Sequence, residues 1–231
     1  DGNSLRELAA RTGEGMCEGL DTSSLHPWGK IALLGSGETS ASGGQVFEAL
    51  ARELPASPRV RVVETPAGFE LNASQVAGRV ADYLRVRLQN YRPNVQQVAV
   101  HRKDAGLTAE NPGANQPLWD ADMIFLGPGS PSYAVRQLQG SLTWEIIQAR
   151  QRLGAALILA SAAAIAAGVL ALPVYEIFKV GEDAHWKPGL DLFAPYGLSL
   201  VIVSHWNNHD GGADLDTSRC FLGRKRFDPL L

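Results

Sequence analysis

The chain has 231 residues, 45% of them hydrophobic and 19% charged, with a formal charge of −3 at neutral pH. That composition supports a sizeable core within one compact domain. The near-neutral charge, without a long block of like charges, argues against nucleic acid or an anionic membrane surface as a partner.

Residues 1–28 read as an irregular tail, with one or two helical turns over Leu5–Ala10 broken by Gly13, Gly15 and Gly19. Residues 29–231 read as a single α/β domain. The chain carries no basic-then-apolar leader and does not begin with Met, and it stops at Asp228-Pro229-Leu230-Leu231, so both ends read as those of a trimmed chain. From Lys30 the pattern becomes regular. Lys30–Leu34 is an apolar strand ending at Gly35-Ser36-Gly37, and Gln45–Glu53 has helical spacing. Strands follow at Arg59–Glu64, Val95–Val100 and Asp122–Leu126, the last ending at Gly127-Pro128-Gly129, with a helix over Ala73–Gln89 between the first two. Helices are expected at Tyr133–Leu138 and Leu142–Arg152. A strand over Ala155–Ala160 then runs into a helix over Ala162–Ala167, and Val174–Phe178 and Leu198–Ser204 complete the set of expected strands. Arg224, Lys225 and Arg226 read as a solvated helix face.

One stretch has membrane-span length: Leu153–Tyr175 carries no charge. It is rich in Ala and punctuated by Gly154, Ser161, Gly168 and Pro173, and it reads equally as a buried strand, a turn and a buried helix. Cys17 and Cys220 are far apart and form no C-x-x-C pair, so no disulfide framework or zinc site is expected, and a reducing cytoplasm fits.

Strand–helix alternation of this kind builds a parallel sheet, and ligands bind at the carboxyl ends of its strands. The residues placed there are the candidates for chemistry. Ser161 ends an apolar strand and precedes an Ala-rich helix. A nucleophile on so sharp a turn stands exposed above the sheet, and the N–H of the next residue, Ala162, can hold an oxyanion. A helix N-cap serine would read the same way. Gly127 and Gly129 let the backbone approach a ligand and aim N–H groups at it; a tight turn needs them equally. His205 follows an expected strand and can serve as general base to a nucleophile on a neighbouring one. Glu38, Glu64-Thr65-Pro66 and Asn207 also fall after strands, as sites for substrate polar groups or caps. Glu182, Asp183, His185 and Trp186 form a polar patch that could line the same cleft. His205 and His209 are spaced as metal ligands can be, but the loop with Gly211 and Gly212 fixes no geometry, and no metal is expected. Gly35-x-Gly37 lacks the third glycine of a dinucleotide fingerprint and no Walker loop occurs, so no cofactor is expected.

The order of these features resembles the serine peptidase family that contains cyanophycinase and aspartyl dipeptidase (dipeptidase E), which has the class I glutamine amidotransferase-like fold. The features are Gly35–Glu38, Glu64-Thr65-Pro66, Gly127-Pro128-Gly129, Ser161-Ala162-Ala163-Ala164 and His205. The resemblance spans roughly residues 30–227 and extends to an uncharacterised type 1 glutamine amidotransferase-like branch. It implies a flavodoxin-like parallel sheet flanked by helices. It also implies a Ser–His–acid hydrolase with Ser161 as nucleophile, His205 as base, and Gly129 and Ala162 as the oxyanion hole. Gly127, Glu38 and Asn207 would bind substrate. The acid is expected downstream of His205, at Asp210, Asp214, Asp216, Asp228 or beyond Leu231. Glutaminase chemistry would need Cys where Ser161 stands. Leu159 and Ala163 replace the glycines of the family's turn. An extra methyl at a positive φ costs about 1 kcal/mol, so a ligand-binding module without turnover is the alternative. The expected partner is a small peptide, with an acidic residue, or another small molecule, for a monomer or homodimer.

Overall fold

The computed structural model of the chain describes residues 28–103 and 109–231. The tail expected over 1–28, with its helical turns at Leu5–Ala10, lies almost wholly outside them.

Five strands pair in parallel: β1 (Ile31–Leu34), β2 (Arg59–Val63), β3 (Asn94–Val98), β4 (Met123–Leu126) and β5 (Ala156–Ala160). Their order across the sheet is β1-β5-β4-β2-β3. The central strands β4 and β5 are wholly apolar because both their faces are covered, while β2 carries Arg59 and Arg61 at its amino end. Along β5, Leu157 and Leu159 face one core while Ala156, Ile158 and Ala160 face the other. β4 divides likewise, with Ile124 and Leu126 against Met123 and Phe125.

Helices α1 (Ala41–Ala51) and α2 (Ala73–Arg87) cover one face through Phe47, Leu50, Val80 and Leu84. Helices α3 (Pro131–Leu138), α4 (Leu142–Arg152) and α5 (Ala162–Ala166) cover the other through Ala134, Leu138, Trp144, Ile147 and the alanines of α5. The chain is therefore an α/β fold with a parallel sheet between two helical layers, as the alternation predicts. Serine caps set the helix starts: Ser40, Ser130 and Ser141 accept from the backbone N–H three residues on. Ser40 starts α1 earlier than its apolar spacing suggests, at Ala41. Gly43 and Gly44 are poor helix formers that the packing requires: a Cβ on Gly43 would lie 2.4 Å from the Gly37 carbonyl oxygen.

Two expected strands are corrected. Val174–Phe178 is helical, beginning at Val174 and continuing as a π-helix over Glu176–Val180. Pro173 sits just ahead and its carbonyl accepts from Ile177 N–H at 3.0 Å, so the proline initiates a helix rather than bounding a strand. Leu198–Ser204 joins no sheet. It makes a single bridge, Val201 to Leu170, beside the small hairpin of β6 (Leu170–Ala171) and β7 (Lys187–Pro188).

The charge-free Leu153–Tyr175 stretch folds as β5, a turn, α5 and the approach to the π-helix. Among the described residues no helix is long and apolar enough to cross a membrane. Arg224, Lys225 and Arg226 lie exposed on a short helix, as expected of a solvated face.

Candidate active site

Parallel pairing brings the ends of β1, β5, β4 and β2 to one edge of the sheet, with Leu34 beside Ala160 and Leu126 beside both Leu159 and Val63. The next residue along β5 is Ser161. Its N–H still donates to the Leu34 carbonyl at 2.8 Å, continuing the ladder, but its backbone turns to φ 52° and ψ −112°. A non-glycine residue there is strained by roughly 1–3 kcal/mol, and the strain lifts the side chain off the sheet. Ser161 does not cap α5. Its Oγ instead lies 2.8 Å from His205 Nε2. Leu159 and Ala163 are both buried in the core on the α3–α5 side, and neither lines the cavity into which Ser161 opens.

His205 is brought in from a distance of 44 residues along the chain. It too has a positive φ, 51°. Its N–H donates to the Gly35 carbonyl at 3.2 Å, which fixes it beyond the end of β1. Just before it, buried Ser204 donates its hydroxyl to the Ser161 carbonyl at 2.9 Å. Nucleophile strand and base loop are thus stitched together by backbone and side chain. The Phe221 ring packs on the imidazole with centroids 4.8 Å apart. Burial pushes the His205 pKa below the ordinary 6.5, and the negative charges of Glu38 and Asp210 offset part of that shift. The imidazole is therefore neutral at neutral pH and able to accept the Ser161 proton.

Ser161 and His205 open into a cavity of about 270 Å³ that Gly129 and Ala162 also line. Ala162 begins α5, so its N–H has no intrahelical acceptor. Gly129 has φ 149°, and a Cβ on it would lie 1.9 Å from the Pro66 carbonyl oxygen. Only glycine fits where the β4 turn crosses the Thr65–Ala67 turn.

Other candidates fall elsewhere. Gly127 lies against the Phe125 ring and lines a separate small hollow with Glu64. Asn207 is exposed and not part of the cavity wall. Glu38 is half-buried and acts on His205 through its charge alone. Glu64 is buried and engaged, accepting from Ser74 Oγ at 2.8 Å and pairing with His101 Nε2 at 2.7 Å. In the polar patch, Glu182 faces His185 and Lys187, and Trp186 donates to the Leu230 carbonyl; none of them lines the cavity.

Among the acids, Asp216 is consumed by Ser218 and the Arg224 N–H, which hold it down at about 2. Asp210 is the downstream acid whose charge reaches His205. Among the described residues no carboxylate hydrogen-bonds the imidazole, and no three His, Cys, Asp or Glu side chains cluster as a metal site. Cys220 lies under the cavity with its thiol on the Ser204 carbonyl at 2.9 Å, and burial pushes its pKa up to about 12, so it is no rival nucleophile.

Sequence reasoning missed the cavity's apolar walls. Tyr175, Phe178 and Lys179 come from the π-helix region read as a strand, and Phe221 comes from a loop without periodicity. The Pro173 signal was the available clue to the first three.

No family model matches the chain, and no curated protein is significantly similar to it in sequence. Solved structures share its fold. A peptidase from an acI-B1 actinobacterium superposes with a TM-score of 0.64 at 19% identity, over 79% of this chain and 70% of its own. A candidate peptidase E protein from Listeria monocytogenes EGD-e superposes with a TM-score of 0.53 at 15% identity, over 79% and 82%. At these identities the likeness is one of fold: the parallel sheet with its two helical layers is that of proteins named as peptidases.

Proposed function

We propose that this protein is a serine-type hydrolase of the peptidase class, acting on small peptides. The observation that carries the reading is the 2.8 Å approach of Ser161 Oγ to a neutral His205 Nε2, on a strained turn that opens into a cavity. The peptidase names of the structural neighbours support it.

Ser161 Oγ attacks the amide carbonyl carbon while its proton passes to His205 Nε2. The carbonyl oxygen takes up the electron pair and is held by the N–H groups of Ala162 and Gly129. The imidazolium returns the proton to the departing amine as the C–N bond breaks. Water, deprotonated by the same imidazole, then cleaves the acyl-serine ester to release the acid and restore Ser161.

Exposure to a fluorophosphonate probe, read by intact mass, tests this. One adduct per chain is expected, and none in Ser161→Ala or His205→Ala. A second reading, a ligand-binding module without turnover, draws on the lack of a carboxylate hydrogen-bonded to His205 among the described residues. It predicts no adduct in the folded wild type but thermal stabilisation by small peptides.

A further inference from the structure

The resemblance in sequence points to peptides with an acidic residue; the cavity beside Ser161 is built for something else. Its apolar walls include Ile165, Val174, Tyr175, Phe178 and Phe221, with Lys179 at the rim. Phe178 and Phe221 face each other across 6.2 Å between ring centroids. Phe178 is 47% exposed at the mouth, an aromatic surface that an inserted side chain would cover.

Phe221 is held in place at a cost. Arg219, Cys220 and Phe221 are three consecutive non-glycine residues with φ of 53°, 59° and 66°. A left-handed turn of L-residues is unfavourable at each step and survives only where its surroundings dictate it. Here they do. The Arg219 guanidinium lies over Trp206, 3.6 Å from the ring centroid, and donates to the Trp206 carbonyl. Cys220 is tied to Ser204, and Gly223 N–H closes the turn on the Ser218 carbonyl at 2.8 Å. The result is an aromatic ring delivered to both His205 and Phe178.

Charge points the same way. Lys179 is the one cation among the described residues lining the cavity, and it is exposed, with Nζ over the Phe178 ring at 5.3 Å. A cation so placed is screened by water and offsets little of the desolvation of a carboxylate. The charges that reach His205 from outside the wall, Glu38 and Asp210, are both negative and would repel an anion.

We propose that the cavity beside Ser161 selects an apolar side chain of the substrate, aliphatic or aromatic, with Phe178 and Phe221 as its specificity-determining walls, and disfavours a carboxylate. The proposal rests on the serine-hydrolase reading for its catalytic consequence but not for its binding one, and the two are tested separately.

In the Ser161→Ala variant, which cannot turn over, N-benzylhexanamide should raise Tm more than the chain-matched N-benzylglutaramate, with an apparent Kd at least tenfold lower. In the wild type, kcat/KM for p-nitrophenyl hexanoate should exceed that for the glutarate monoester by a similar factor. Phe178→Ala, at the exposed mouth where folding is not at stake, should cut the hexanoyl preference to within about threefold, and Phe178→Arg should reverse it. Equal or tighter glutaryl binding in the Ser161→Ala variant would overturn the proposal whatever the enzyme does. A hexanoyl preference in binding with no fluorophosphonate adduct in the wild type would sink the hydrolase reading and leave the cavity's selectivity standing.

Discussion

The two ends of the central sheet are built on opposite plans. At the amino ends of β2 and β4, charged groups are numerous and satisfy one another. Asp122 is buried and accepts from Arg59 at its backbone N–H, Nε and Nη2, all within 3.0 Å. Arg61 is 4% exposed and donates to the Pro117 carbonyl, Asn94 and Asp120. Arg150 donates twice to the Ala121 carbonyl. At the carboxyl ends of β1 and β5 the plan differs, although Glu64 after β2 is paired with Ser74 and His101. Ser161, His205 and the turn Arg219–Phe221 all have positive φ without being glycine, and Ser161 Oγ serves no capping role. Polar side chains at one end are spent on structure; at the other the backbone is strained to keep a hydroxyl and an imidazole free to react. Positive φ alone does not separate the ends, since Ser57 before β2 and Arg92 before β3 also have it; what marks the functional end is strain at Ser161 and His205 coinciding with a hydroxyl and an imidazole that face each other over a cavity.

Substitutions at the two ends should therefore separate reactivity from stability. The largest effect is expected for Gly129→Ala. Its methyl would meet the Pro66 carbonyl oxygen at 1.9 Å, so the turn must shift and carry the 129 N–H away from the oxyanion position. Fluorophosphonate reaction at Ser161 should slow on the order of 10²-fold or more. A folded Gly129→Ala variant reacting at the wild-type rate would remove Gly129 from the oxyanion hole.

The opposite end should give the opposite phenotype. Asp122→Ala removes the acceptor of the Arg59 backbone N–H, Nε and Nη2 while Nη1 keeps Asp120, and should destabilise the fold by about 2 kcal/mol in urea, with adduct formation per folded molecule unchanged. The pH dependence has a definite sign. Burial alone would raise the Asp122 carboxyl, but the hydrogen bonds and charge of Arg59 more than offset it, so its folded pKa lies below the ordinary 3.8. A depressed carboxyl adds stability above its unfolded pKa, and that stability is lost as pH falls through the folded value. The gap between wild type and Asp122→Ala should thus be full near neutrality and shrink in acid.

The same contrast explains what the sequence makes legible. β4 and β5 can be read directly, because strands covered on both faces are continuous apolar runs, and β2 through Val60, Val62 and Val63. Ser161, Ala162 and Gly129 can be read because parallel topology sends strand-end residues to one edge; His205 is read on a strand that does not form, and reaches that edge through its N–H on the Gly35 carbonyl. Gly127 and Asn207 share that sequence position but not the cavity. One residue along a turn reverses the direction a group faces, and periodicity does not reach into turns. Val174–Phe178 misleads because Val174, Tyr175, Ile177 and Phe178, interrupted only by Glu176, fit a short strand and a short helix equally. Phe221 stays hidden altogether, since a left-handed turn of ordinary residues is dictated by contacts with Trp206 and Ser204, distant in sequence.

The smallest expected effect bears on how His205 is oriented. If the imidazole must be neutral to accept the Ser161 proton, the rate of adduct formation rises with pH through the His205 pKa and is flat above it. Burial places that midpoint below 6.5. Glu38 and Asp210 each favour the protonated ring without hydrogen-bonding it, so Glu38→Gln and Asp210→Asn should each lower the midpoint further, by less than about one pH unit, with the plateau rate nearly unchanged for Glu38→Gln. The plateau of Asp210→Asn carries a second message. A fall of tenfold or more at saturating pH, beyond any shift of the midpoint, would mean that Asp210 holds the imidazole in its working tautomer during reaction, as the acid of a triad does. A midpoint shift with the plateau intact would make Asp210 a remote charge. The reactive pair would then be Ser161 and His205 alone, with the imidazole oriented by Phe221 and by its own backbone bond to Gly35.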